Sequence, residues 1–245
     1  MTATPNMSKE QQGTKGNKPI ACKLVIAIDG PAGAGKSTVA QLVAEKLGYL
    51  YIDTGAMYRA ITWLMIDQQI DLADRKRLKE LLQNTEVVLQ PQDETSHGRC
   101  RVFVNGREIT MDIRGQQVSK LVSPVSAIAD VRTVLVEQQQ RMAQSGSVVL
   151  DGRDIGTVVL PNADLKIFLT ASPEVRATRR MLELQGLGQT INHEQVLKDI
   201  IDRDHFDSTR EVSPLKKADD AIILDTDNLS IEQVVERILE LAVSN

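Results

Sequence analysis

Leu24-Val25-Ile26-Ala27-Ile28-Asp29 runs without a gap into Gly30-Pro31-Ala32-Gly33-Ala34-Gly35-Lys36-Ser37-Thr38. The continuously apolar, β-branched first half predicts a strand buried on both faces, as parallel sheets require. The second half fits G-x-x-x-x-G-K-[ST] at every fixed position. A helix over Ser37 to Leu47, stopped by Gly48, completes a strand–turn–helix unit. The chemistry needs these residue types. Glycines let consecutive backbone N–H groups point inward around a phosphate, where a Cβ would obstruct them. Lys36 reaches the β- and γ-phosphates and Ser37 offers its hydroxyl to Mg²⁺. The helix N-terminus adds positive potential. Residues 30–38 therefore form a candidate nucleoside-triphosphate cradle. A dinucleotide fingerprint fails, because its third glycine would stand where Thr38 stands.

Working outward, Tyr49 to Ile52 reads as a second strand and Ala56 to about Gln69 as a helix. Ser147–Leu150 and Leu165–Leu169 are further buried strands, and Ala221–Leu224 is a last strand. Helical patterns run from Gly115 to Ala143, from Ser172-Pro173-Glu174, from Asn192 toward Phe206, and from Ser230. Strands alternating with helices predict an α/β, doubly wound parallel sheet flanked by helices. One stretch breaks the rhythm. Val87-Val88-Leu89, Arg101-Val102-Phe103-Val104 and Glu108-Ile109 are short strands with Asn105-Gly106 as a hairpin turn, a small antiparallel insert. Residues 1–20 are polar, with no apolar core behind Lys9, Lys15 and Lys18, and read as a disordered tail.

The 245 residues carry Lys+Arg 29 against Asp+Glu 33, a net charge of −4 that argues against a nucleic-acid polymer as partner. No apolar run approaches a membrane span. A hydrophobic content of 42% excludes global disorder. Cys22 and Cys100 fit neither a disulfide scaffold nor a zinc module, so a reducing, cytoplasmic setting is expected. His97, His193 and His205 are scattered, and His193-Glu194 lacks a second histidine, so a zinc hydrolase is unsupported. A GTPase is unsupported as well. The one Asn-Lys pair, Asn17-Lys18, lies in the tail, and Asp112-Ile113-Arg114-Gly115 follows no apolar strand.

Between Asp112 and Arg210 there are nine arginines but three lysines. That bias suits a site gripping phosphates through bidentate guanidinium forks rather than a mixed solvated surface. Asp53-Thr54-Gly55-Ala56-Met57-Tyr58-Arg59 and Asp151-Gly152-Arg153-Asp154-Ile155-Gly156-Thr157 both follow strands, where open α/β sheets place ligands. On a helix, Arg203, Asp207 and Arg210 are spaced i, i+4, i+7 and share a face. Beside a phosphate cradle, these clusters point to a second, phosphate-bearing substrate.

These stretches, with Lys166-Ile167-Phe168-Leu169 and Arg179-Arg180-Met181-Leu182, resemble the bacterial-type cytidylate kinases of the nucleoside monophosphate kinase family, over about residues 22 to 243. The resemblance implies a tail over 1–20 and one P-loop domain over 21–245. Within it would lie a nucleoside-monophosphate-binding insert at about 85–124 and a helical lid at about 172–192. It implies transfer of the ATP γ-phosphoryl group to CMP or dCMP with Mg²⁺, in a monomer of pyrimidine nucleotide metabolism. Arg59 and Arg153 would hold the acceptor phosphate, and Arg203 and Asp207 would lie near the ribose. Thr54, Ser123, Arg132, Asp154 and Arg210 would surround the base. Thr54 keeps the hydroxyl of the serine that relatives often have. Phe206 stands where many have arginine, so no role is carried to it.

Phosphoryl transfer to a phosphate oxygen needs no general base. It needs positioning and cations between two polyanions: Lys36, Mg²⁺, Arg59 and Arg153. Arg176, Arg179 and Arg180 lie on the expected lid helix, placed to close over the transferring group. Arg179 is counted among the catalytic candidates, and which of the three points inward is left open. Two alternatives stay open: a kinase for another small acceptor such as UMP or a sugar acid, and a nucleotide-binding regulator without catalysis.

Overall fold

The computed structural model describes residues 23–94, 96, 100–186, 188 and 192–244. The tail over 1–20, Cys22, His97 and residues 187 and 189–191 of the expected lid lie outside the described residues. In chain order the elements are β1 (Val25–Asp29), α1 (Lys36–Leu47), β2 (Leu50–Asp53), α2 (Thr54–Asp67) and α3 (Arg75–Gln83). Then come β3 (Val87–Gln90), β4 (Arg101–Val104), β5 (Arg107–Glu108), α4 (Gln116–Ser126) and α5 (Ala129–Ala143). The remainder is β6 (Val148–Gly152), β7 (Leu165–Thr170), α6 (Pro173–Gly186), α7 (His193–Thr209), β8 (Ile222–Asp225) and α8 (Ile231–Val243).

Five strands form a parallel sheet in the order β2-β6-β1-β7-β8, and β3-β4-β5 form an antiparallel one. The unbroken apolar strands follow from helices covering both sheet faces. Val149 packs with Ile26, Ile28 and Ile167 beneath α1 and α8. Its neighbours Val148 and Leu150 face the opposite cluster, with Ile52, Ile61 and Leu135. Each such fully buried aliphatic side chain contributes about 1.5–3 kcal/mol. The antiparallel strands alternate instead: Val87, Leu89, Val102 and Val104 are buried and join the cluster containing Ile52 and Leu150. The expected insert is thus welded to the main core. Asn105 and Gly106 both take positive φ, 49° and 81°, the turn that matches strand twist in a two-residue hairpin.

Three local features differ from expectation. Helix α2 starts at Thr54 rather than near Ala56, because the Asp53 carboxylate accepts from Ala56 N at 2.8 Å and caps it. Helix α3 was not expected, although Asp74 caps it and Leu78, Leu81 and Leu82 are buried at helical spacing. The single helical stretch over 115–143 divides into α4 and α5 at Ala127–Ile128, just after Pro124.

The sheet order brings three aspartates to one edge. Asp53 lies opposite Asp151, and Asp29 lies opposite Gly152. These are the carboxyl ends of β2, β6 and β1, where an open α/β sheet presents its ligand crevice.

Candidate active site

The cradle begins at Gly30, whose φ is +150°. A Cβ there would fall 2.0 Å from the Leu169 carbonyl oxygen, so only glycine lets β1 turn beside β7. Helix α1 follows, with Lys36 at its first turn. The buried Lys36 Nζ donates to the Pro31 carbonyl at 2.7 Å across the loop. Burial, then the Arg153 charge, holds its pKa well below the ordinary lysine value. An anion in the cradle relieves both effects. Ser37 Oγ donates to Asp151 Oδ2 at 2.8 Å, and Tyr51 OH donates to Asp151 Oδ1 at 2.9 Å. Burial and facing Asp53 push the Asp151 carboxyl up to about 6.

Asp151, Tyr51 and Asp53 were not singled out as site residues in the sequence. Their signal is positional: two aspartates ending adjacent parallel strands. The Ser37 hydroxyl and the Asp151 carboxylate are hard oxygen donors beside a phosphate cradle, which fits Mg²⁺. Among the described residues no cluster of three or more His, Cys, Asp or Glu side chains could hold a metal.

Across the crevice, Arg59 of α2 donates to Ser119 Oγ at 3.1 Å and to the Ile113 carbonyl at 3.3 Å. Arg153 Nε donates to Asp207 Oδ2 at 2.9 Å, and Arg203 lies 3.9 Å from the same oxygen. Arg114 lies 3.5 Å from Asp53. Burial, then Arg114 and Arg203, pulls Arg59 down to about 10, and burial and Arg153 do the same to Arg203. The Nε atoms of Arg114 and Arg203 are buried without a hydrogen-bond partner among the described residues. Crowded guanidinium groups repel one another unless an anion sits among them. Arg114 was missed because it sat in the Asp112–Gly115 stretch weighed only as a GTPase signature.

The lid arginines part company. Arg176 is buried, donating to the carbonyls of Ala171 (2.9 Å) and Ala32 (3.0 Å) and pairing with Asp204 (2.6 Å). It braces α6 against both the cradle and α7. Arg179, the catalytic candidate among them, donates to the carbonyl and hydroxyl of Thr226 at 2.6 and 3.0 Å. It does not join the acceptor arginines in this structure. Arg180 is half-exposed on α6 and pairs with Glu183 at 2.6 Å.

Deeper lies a buried Arg132–Asp154 ion pair, with the two residues 4% and 3% exposed. Arg132 Nε also donates to Ser213 Oγ at 2.9 Å, and its guanidinium lies 5.5 Å from the Tyr58 ring centroid. Arg210 donates to the Ser213 carbonyl at 2.7 Å and to Ser126 Oγ at 3.2 Å. Ser126 in turn donates to the Ser123 carbonyl at 2.8 Å. Burial raises the Asp154 pKa, against the opposing pull of Arg132 and Arg210. Thr54 Oγ1 donates to the Asp151 carbonyl at 2.6 Å, leaving its oxygen able to accept. A Cβ on Gly152 would meet Ile155 Cδ1 at 2.6 Å and Thr54 Oγ1 at 2.9 Å, so a side chain there would displace both. Ser213, with φ of 49°, had no sequence signal beyond preceding Pro214. Thus residues 151–154 at the end of β6 link the three groups, through Asp151 to Ser37 of the cradle, Arg153 to Asp207 and Asp154 to Arg132.

A family model described as Cytidylate kinase matches residues 26–244. The chain is 51% identical over 216 residues to the cytidylate kinase of Carboxydothermus hydrogenoformans, covering 88% of this chain and 96% of that protein. It is 52% identical over 218 residues to the cytidylate kinase of Bacillus subtilis, covering 89% and 96%. Among solved structures, an uncharacterized protein from Eubacterium ventriosum superposes with a TM-score of 0.51. That match spans 91% of this chain and 99% of that one at 15% identity, a likeness of fold alone. Matched along nearly its whole described length, the chain belongs to the cytidylate kinase family.

Proposed function

We propose that the chain transfers the γ-phosphoryl group of ATP to CMP or dCMP, giving ADP and CDP or dCDP. Family membership and the named relatives support the reaction class. The observation that carries the acceptor choice is the buried Arg132–Asp154 pair beside the arginine cluster. Cytosine presents an N4 amine beside the N3 and O2 acceptors. Asp154 accepts from the amine, while Arg132 and Arg210 supply donors. Uracil turns a carbonyl toward the carboxylate, and each buried mismatch costs roughly 1–3 kcal/mol.

The residues 30–38 cradle holds the ATP phosphates, with Lys36 moving from the Pro31 carbonyl to the β- and γ-phosphates. Ser37 would hold Mg²⁺, which would supply charge neutralisation at those phosphates. Asp151 receives the Ser37 hydroxyl and orients it. Arg59, Arg114, Arg153 and Arg203 hold the acceptor phosphate and screen it from the donor, and Asp207 fixes Arg153 and Arg203 near the ribose. Thr54 and Ser123 border the base. Arg180 follows the transferring group. The acceptor oxygen is already anionic, so alignment and charge neutralisation supply the rate. The segments 85–124 and 172–192 act as the acceptor-binding part and the lid.

Among the described residues no helix is long and apolar enough to cross a membrane. By the resemblance and the cysteine usage, we read the chain as a cytoplasmic monomer acting on small nucleotides. Product identification tests the reading. Incubation with Mg-ATP and CMP yields ADP and CDP in equal amounts; ATP hydrolysis without CDP would remove it.

A further inference from the structure

Asp29 ends β1, and the next residue, Gly30, opens the phosphate cradle. Its side chain is buried at 4% exposure. Both carboxylate oxygens are engaged by the backbone of a distant segment. Oδ1 accepts from Ile155 N and Oδ2 from Gly156 N, each at 2.8 Å. Those two amides come directly after Asp154. The turn they open is a wide π-type turn over Ile155–Val159, closed by Val158 N to the Asp154 carbonyl (2.9 Å) and Leu160 N to the Ile155 carbonyl (2.7 Å). The chain is drawn close at this point. A Cβ on Gly156 would lie 3.1 Å from the Lys166 side chain and 3.4 Å from Asp29 Oδ2.

The arrangement is costly. Burial, with nearby Asp154 adding repulsion, pushes the Asp29 carboxyl up to about 6, partly offset by the two amides and by Lys36. An apolar side chain would fill the space without that cost, but would leave two buried amides unpaired and the turn free to rotate. Rotation there swings the Asp154 carboxylate away from Arg132, since the two pinned amides belong to the residues that set the backbone direction at Asp154.

We propose that Asp29 is a positioning residue for base recognition: by clamping the amides of Ile155 and Gly156, it aims Asp154 at the cytosine amine. One strand end then fixes both the donor's cradle and the acceptor's base reader. The inference rests on the CMP-kinase reading above.

The test compares kcat/KM for CMP and UMP at saturating Mg-ATP in wild type, Asp29→Asn, Asp154→Asn and the double variant, with ATP affinity and Tm measured alongside. Asn offers a donor where an amide N–H needs an acceptor. Losing a charge-assisted hydrogen bond should therefore lower the CMP-over-UMP ratio about tenfold or more. If Asp29 acts through Asp154, the same change made in the Asp154→Asn background moves the ratio less than about twofold. A purely structural role lowers Tm and leaves the ratio in place, which would overturn the inference, as would equal effects in both backgrounds. A wild-type ratio near one sinks the acceptor reading, and this inference with it. A high wild-type ratio unmoved by Asp29→Asn sinks the inference alone. Should Asp29→Asn fail to fold, amide hydrogen exchange of the wild type decides. Ile155 and Gly156 are expected to be protected with or without CMP, and exchange as fast as that of open loops contradicts the clamp.

Discussion

Replacing Asp154 with asparagine changes one buried oxygen into an NH₂ group and leaves the shape intact. Asp154 is 3% exposed and Arg132 is 4% exposed, so water cannot substitute for what is lost. A charge-assisted hydrogen bond to the cytosine amine contributes about 1.5–3 kcal/mol. Its removal should lower kcat/KM for CMP by about 10- to 150-fold. The asparagine amide can turn its NH₂ toward the uracil carbonyl, removing the mismatch, so UMP should hold steady or improve. The folded state also suffers. Arg132 keeps Ser213 Oγ at 2.9 Å but loses its counter-charge. With one acceptor oxygen retained, a cost of about 1–3 kcal/mol results, or about 2–12 °C in Tm for a domain of this size. The assay is coupled ADP release with CMP and with UMP, run beside a thermal melt. Equal losses for the two acceptors, or CMP turnover within twofold of wild type, would refute the base-reading role.

Lys36→Ala should abolish turnover while the chain stays folded by circular dichroism, because the deleted ammonium is the cradle's own cation; persisting activity would displace the cradle from the reaction. Arg180→Ala should lower kcat more than Arg179→Ala, since Arg180 is tied to an exposed Glu183 while Arg179 is engaged by the Thr226 carbonyl and hydroxyl; the reverse order in steady-state rates would return Arg179 to the transferring group. The Cys100 thiol, pushed up to about 12 by burial and by nearby Asp53, should resist a thiolate-selective disulfide reagent at pH 8 in a Cys22→Ser background. Stoichiometric labelling of the native protein within minutes would contradict its burial.

The parts of the fold legible in the sequence are those shaped by physics that acts locally. The 30–38 loop is readable because its conformation depends on its own glycines and on the strand and helix at its ends. The parallel strands are readable because burial on both faces leaves unbroken apolar runs such as Val148–Leu150. Helix α3 escaped notice although Asp74, Leu78, Leu81 and Leu82 carry its signal, since its remaining positions are mostly charged. Tertiary geometry hid the rest. Nothing near Arg179 in the chain says that Thr226, 47 residues on, engages it. Asp151 read as the start of a turn; only the β2–β6 register sets it against Asp53 and beneath Ser37. The net charge of −4 was a poor guide to a crevice whose cations are gathered by folding from Arg59, Arg114, Arg153 and Arg203.

The central claim is that this crevice selects cytosine, and an acceptor panel tests it most directly. Coupled ADP release is measured with CMP, dCMP, UMP, AMP and shikimate at equal concentration under saturating Mg-ATP. The account predicts rapid turnover with CMP and dCMP and, from the cost of a buried mismatch, at least about tenfold slower turnover with the others. Preference for any other acceptor would contradict it.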